Sequence, residues 1–149
     1  MTQLEKFNKK YAVTIALKVQ WGDMDAFNHV NNIMYFRYFE SARIAYFEKL
    51  EMMGNDKVTD VAPILAETSC RFKFPLTYPD DILVGARVME NHSHGFMMEY
   101  AVYSTKYKRI TSIGTGRIVL LNYKSHEKVA VSTDLLHKIQ QLENTQIQI

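Results

Sequence analysis

Residues 21–47 of this chain, WGDMDAFNHVNNIMYFRYFESARIAYF, join a polar loop directly to a long apolar run. Two acids, a histidine and three asparagines fall between Asp23 and Asn32. From Ile33 to Phe47 only Arg37, Glu40, Ser41 and Arg43 are plainly polar. So narrow a polar side predicts a helix over 33–47 that is surrounded by protein rather than lying on a surface. Ala42 and Ala45 allow a sheet to approach it closely. Glycine and proline are absent from Val30 to Met53, so nothing breaks the run before Gly54. The start of such a helix offers unpaired N–H groups and the positive end of a dipole. Both suit an anion, or an oxygen about to become one.

On either side of this stretch the pattern changes to strands. Tyr11, Val13, Ile15, Leu17, Val19 and Trp21 occupy alternate positions, which predicts a strand with one buried face. A polar loop is expected over Gly54–Asp60, then a second strand from Val61 to Phe74. In that strand Ile64, Ala66, Cys70, Phe72 and Phe74 share one parity, and Glu67, Arg71 and Lys73 the other. Pro75 to Asp81 reads as a turn. Ile82–Val88, Phe96–Tyr107 and Ser112–Tyr123 read as further strands, with a polar turn at Asn91–Gly95 and a strongly basic connection at Lys106–Thr111. Ser132 or Thr133 caps a short helix, Asp134–Leu142. One long helix followed by consecutive strands with short links predicts an α+β domain with a mostly antiparallel sheet. Such a sheet leaves an edge and the helix mouth open, which calls for a partner subunit.

A chain of 149 residues with 47% hydrophobic content is read as one domain with a real core. The formal charge of +2 gives no case for nucleic acid. The single cysteine, Cys70, excludes an internal disulfide and reads as core. No apolar signal core is seen at the N-terminus, and no run reaches the ~18 apolar residues of a spanning helix. A soluble, cytoplasmic protein without a membrane partner is expected. Nine Tyr, eight Phe and one Trp fit a thick core or a subunit interface.

The segment WGDMDAFNHVNNIMYFRYFESAR resembles the active-site segment of hotdog-fold acyl-CoA thioesterases, specifically the 4-hydroxybenzoyl-CoA thioesterase-like branch. The resemblance is carried by Asp23 and Asp25, then by Tyr35, Tyr38, Phe39, Glu40, Ala42 and Arg43. The strand order and the Phe74-Pro75…Asp80-Asp81 turn fit as well, so it covers most of the chain. It implies a hotdog fold, a five-stranded sheet wrapped around one central helix, assembled as a homodimer or homotetramer. It implies hydrolysis of acyl-CoA to free acid and coenzyme A, with Asp25 catalytic and the Asn32 backbone N–H holding the thioester oxygen. The run His29–Asn32 also resembles plant acyl-carrier-protein thioesterases. Those carry an asparagine two residues after the catalytic aspartate, where this chain has Phe27, with Asn28 one place later. That departure argues against carrying over their Asp–Asn–His arrangement and their carrier-protein substrate.

Thioester hydrolysis needs a group that attacks or delivers water, donors for the oxyanion, and a groove for the acyl chain. Asp25 fills the first need as nucleophile or as general base, and the sequence leaves both open. The helix start at Asn31 and Asn32 fills the second; one such donor is typically worth ~3 kcal/mol in the transition state. Tyr35 and its aromatic neighbours are candidates for the third. His29 polarises the thioester, or orients Asp25, or holds the loop. Asp23 reads as structural. Lys106, Lys108 and Arg109 are candidates to clamp the phosphates of coenzyme A; otherwise they are a solvated turn. His92, His94, His126 and His137 fall in expected turns or the terminal helix and read as solvated. No metal site is expected, because Asp23, Asp25 and His29 lie on one loop with no fourth ligand in view. No organic cofactor is expected either. The rival readings are a hotdog hydratase or dehydratase, and a non-catalytic acyl-thioester binding module.

Overall fold

A computed structural model describes residues 1–53 and 60–147. Helix α1 (Gln3–Lys10) is followed by β1 (Val13–Lys18), a 3-10 turn (Trp21–Asp23) and the long helix α2 (Asn32–Lys49). Then come β2 (Val61–Phe72), β3 (Asp81–His92), β4 (Gly95–Ser104), β5 (Arg109–Asn122) and helix α3 (Thr133–Ile147). The five strands form one antiparallel sheet in the order β1-β3-β4-β5-β2. The α+β architecture expected from the sequence is therefore present. The loop expected over Gly54–Asp60 lies, but for Asp60, outside the described residues.

Helix α2 begins where Asn31 caps it and lies across β1, β3 and β4. Its Tyr35, Tyr38, Phe39, Ala42, Tyr46 and Phe47 meet Ile82, Val84, Phe96, Met98 and Tyr100 in the main core. Phe39 stacks on Tyr100 at 5.2 Å between ring centroids. A Cβ on Gly114 would come within 2.4 Å of the Phe39 ring, so this close approach requires glycine. One side of the helix is thus buried against the sheet, whereas Ile33, Arg37 and Glu40 stay exposed, so the helix is not surrounded by protein as its narrow polar side predicts.

The opposite face of the sheet is covered by α1. Phe7 and Tyr11 pack there on Ala101 and Tyr103. Helix α1 is an addition to the sequence reading, which starts the fold at Tyr11. A capping box holds it: the Thr2 hydroxyl accepts from Glu5 N–H, and the Glu5 carboxylate accepts from Thr2 N–H. The C-terminal helix also runs longer than expected, to 15 residues. Of its two candidate caps Ser132 is used, its hydroxyl accepting the Leu135 N–H at 3.1 Å.

Strand β2 departs most from its expected pattern. The register slips between Leu65 and Glu67, placing a bulge at Ala66. Ile64 therefore shares a face with Glu67 and Arg71, while Cys70 and Phe72 turn toward α2. A single alternating parity across the bulge is impossible, because one extra residue inverts every side chain beyond it. β2 is also a sheet edge, and its Phe72 remains 43% exposed.

Candidate active site

The polar loop before α2 is built by its own acids. Asp23 Oδ2 accepts from Gln20 N–H at 2.9 Å and from the Tyr38 hydroxyl at 3.0 Å. Its carbonyl accepts from Asn31 N–H at 2.8 Å. Asp23 thus fastens the loop to both its entrance and the helix, which is the structural role expected for it. Burial and the bond to Asp23 hold the Tyr38 hydroxyl protonated, its pKa well above that of a free tyrosine.

Asp25 is arranged differently. Oδ1 accepts from Phe27 N–H at 2.8 Å and from His29 N–H at 3.3 Å. The Asp25 N–H donates to the His29 carbonyl at 2.7 Å, and Met24 bridges Val30. Asn28 closes this tight turn at a φ of 63°, a left-handed conformation that asparagine tolerates better than most residues. Oδ1 therefore fixes the carboxylate, and Oδ2 has no partner among the described residues. The carboxylate lines an open cleft of about 490 Å³ together with Trp21, Met24, Asn28, Thr77 and Tyr78.

The first turn of α2 leaves one donor open. Asn31 Oδ1 takes the Ile33 N–H at 3.0 Å, the Asn31 carbonyl takes the Met34 N–H at 2.9 Å, and Asn31 N–H is bound to Asp23. The Asn32 N–H has no acceptor among the described residues. It stands at the positive end of an 18-residue helix.

The second wall of the cleft comes from the β2–β3 connection. Leu76 is clamped there, its carbonyl accepting from Val30 N–H and its N–H donating to the Tyr35 hydroxyl at 3.1 Å. This puts Thr77 and Tyr78 across from Asp25. Tyr35, a candidate for substrate contact, is only 2% exposed and holds this wall from beneath instead of lining the cleft. Trp21 also departs from expectation. Its parity predicts burial, yet the strand ends at Lys18 and Trp21 is 76% exposed on the cleft rim. Thr77 and Tyr78 escape the sequence reading altogether; their one signal is the turn between Pro75 and Pro79.

The basic connection borders the same wall. Lys106 Nζ lies 3.4 Å from Thr77 Oγ1, and the Tyr107 hydroxyl 3.1 Å from it. Buried Asp80 anchors the turn by accepting from the Ser104 hydroxyl and from Lys106 N–H. Arg109 lies over the Phe74 ring at 4.5 Å, and Lys108 takes a φ of 55°. None of the three cations is ion-paired among the described residues. The structure thus brings Lys106 to Thr77 in the wall facing Asp25, without placing Lys106 itself in the cleft lining. The His29 ring is exposed and does not line it. No cluster of three His, Cys, Asp or Glu able to hold a metal occurs among the described residues. Cys70 is half-buried, and burial raises its thiol to about 11, so it is a poor nucleophile.

An antiparallel sheet across one central helix, with an acid-bearing loop feeding that helix, defines a protein of the hotdog class. A model of the thioesterase-like superfamily matches residues 19–139, and the chain belongs to that superfamily. The Bacillus subtilis (strain 168) protein YsmA, itself uncharacterized, is 37% identical over 71 residues, which span 48% of this chain and 42% of that one. A Thermus thermophilus thioesterase solved with coenzyme A and Zn superposes with a TM-score of 0.79 at 23% identity, covering 91% of this chain and 97% of that one. A Synechocystis 1,4-dihydroxy-2-naphthoyl-CoA thioesterase superposes with a TM-score of 0.77 at 17% identity, over 88% and 97%. At these identities the superpositions establish the hotdog fold.

Proposed function

We propose that this chain hydrolyses acyl-CoA thioesters to free acid and coenzyme A at the cleft beside Asp25. The observation that carries the reading is the divided use of that carboxylate. One oxygen is fixed by two backbone N–H groups, the other has no partner among the described residues, and the residue lines the cleft. As a general base, Oδ2 takes a proton from water while the water oxygen attacks the thioester carbon. As a nucleophile, Oδ2 attacks that carbon itself, and water then cleaves the mixed anhydride. In either course the C–S bond breaks, and the thiolate leaves as free thiol after taking a proton. The developing oxyanion accepts from Asn32 N–H at the helix terminus. Asn31 sets that terminus, and Tyr35 steadies the facing wall. His29 serves through its backbone, whose N–H and carbonyl hold Asp25.

Coenzyme A carries its charge at the nucleotide end, and Lys106 at the cleft wall suits the phosphates, with Lys108 and Arg109 behind it. The exposed apolar rim around the site, Trp21, Phe27, Phe72 and Tyr78, together with the open edge of β2, supports a homodimer or a tetramer built from it. No helix among the described residues is long and apolar enough to cross a membrane. A cytoplasmic setting fits this chemistry. Release of free thiol from a panel of acyl-CoAs tests the function; no turnover of any acyl-CoA by the purified protein refutes it. A single turnover in H₂¹⁸O identifies the nucleophile when water opens the anhydride at the Asp25 carboxyl carbon. The acid then leaves with an unlabelled oxygen from Asp25 and the label enters the Asp25 carboxylate, whereas the general base puts the label in the acid.

A further inference from the structure

We infer that the far end of the sheet carries a separate binding site for a phosphate group, made by His92, His94, Arg117 and Lys128. The inference goes beyond thioester hydrolysis and does not depend on it. β3 starts at Asp81 beside the catalytic loop and ends at His92, so the two sites stand ~35 Å apart along the strand. Three segments converge at this end. The β3–β4 hairpin lies against β5, with Leu120 N–H bonded to the His94 carbonyl at 2.8 Å. Gly95 permits this contact, since a Cβ there would sit 1.8 Å from the Ile118 carbonyl oxygen. The chain after β5 then turns back, Lys128 bridging Leu121 and Val129 N–H bonding to the Leu120 carbonyl.

The result is a small cavity of about 70 Å³ lined by the two histidines, Ser93, Arg117 and Lys128. It is a small, partly open depression that admits one tetrahedral oxyanion. No carboxylate lines it. Arg117 and Lys128 have no ion-pair partner among the described residues. Glu67 is paired in register with Arg117 and lines the adjoining groove, yet forms no ion pair with it. The Ser93 hydroxyl lies 2.8 Å from His94 Nδ1, which restrains that ring beside the cavity. An arginine fork and a lysine point charge beside two imidazoles, with the one nearby acid, Glu67, in the adjoining groove rather than in this cavity, are the chemistry of phosphate recognition.

Free phosphate and the phosphate monoester of a nucleotide share this chemistry. Calorimetric titration of the full chain with inorganic phosphate, adenosine 3′-monophosphate and adenosine tests the site. Saturable binding of phosphate is expected, weakened about ten-fold or more in the Arg117→Gln/Lys128→Gln variant. Both residues are exposed, so this variant keeps its fold; an unchanged Tm verifies it. Lys9→Gln, another exposed lysine, is expected to bind as the parent does. A nucleotide source makes adenosine 3′-monophosphate bind more tightly than phosphate, a free-phosphate source makes the two equal, and adenosine alone does not bind. Absence of saturable phosphate binding in the parent, or equal binding by the double variant, overturns the inference.

Discussion

Asp25→Asn tests the chemistry proposed for the loop before α2 apart from its folding. The amide keeps an oxygen at the Oδ1 position, so the bonds from Phe27 and His29 N–H survive. Only Oδ2, which has no partner to lose, becomes an NH₂ group. Stability should therefore change by less than ~0.5 kcal/mol, a shift of ~1–2 °C in Tm for a domain of this size. Activity should not survive in the same way, because an amide neither takes a proton from water nor attacks a thioester. Loss of a positioned base costs about 10² to 10⁴ in kcat, equivalent to ~3–5 kcal/mol. Asp23→Asn is the opposite case. Its Oδ2 receives two donors, one of them the largely buried Tyr38 hydroxyl. An amide can satisfy them only by turning its oxygen toward both, so a loss of ~1–3 kcal/mol of stability is expected, with kcat reduced less than about ten-fold. The assay is paired: steady-state thiol release, and thermal melts of both variants against the parent. An Asp25→Asn enzyme within about three-fold of parent kcat, or a larger kcat loss in Asp23→Asn than in Asp25→Asn, would refute the division of roles.

Neutralising Lys106, Lys108 and Arg109 together should raise KM for acyl-CoA and flatten its salt dependence, with kcat little changed; each exposed contact is worth ~1 kcal/mol. A truncated thioester lacking the nucleotide should be unaffected, and an equal effect on both substrates would remove these residues from nucleotide binding. Glu143 Oε2 accepts from the Tyr46 hydroxyl at 2.5 Å and Val88 N–H at 3.1 Å, and burial raises its carboxyl above the ordinary 4.5. A carboxyl raised on folding favours the folded state when protonated, so stability is lost as pH climbs from the ordinary value through the raised one. Glu143→Gln keeps an oxygen for both donors, and its Tm should no longer fall across that window; a parent-like fall in melts of the variant would place the dependence elsewhere. Light scattering at micromolar concentration should return a dimer or tetramer mass, and an active monomer would refute assembly through the apolar rim.

Much of the protein is legible locally. The run from Ile33 to Phe47 marks its helix through composition alone, and Asn31 marks the start through capping chemistry. Alternation finds each strand to within a few residues, because pleat and helical turn are short-range periodicities. The pair Asp23 and Asp25 marks a polar loop, and the resemblance of the whole segment 21–43 to hotdog thioesterases makes it the candidate site. Helix α1 was also written in the sequence, in the Thr2–Glu5 box, but eight residues give a weak signal on their own.

What local chemistry does not contain is register and meeting distance. The Ala66 bulge exists only in the pairing of β2 with β5, so no alternation within β2 shows which residues turn inward. Trp21 is carried to the surface by the end of β1, and Tyr35 is drawn inward by its bond to the Leu76 N–H, although both look alike as aromatic residues near the motif. Thr77 and Tyr78 come to the cleft of Asp25 from a distant part of the chain, and Lys106 reaches only Thr77. Two identical carboxylates, two positions apart, acquire different surroundings for the same reason. The tertiary structure gives Asp23 Oδ2 the hydroxyl of Tyr38 and sets Asp25 in the lining of an open cleft.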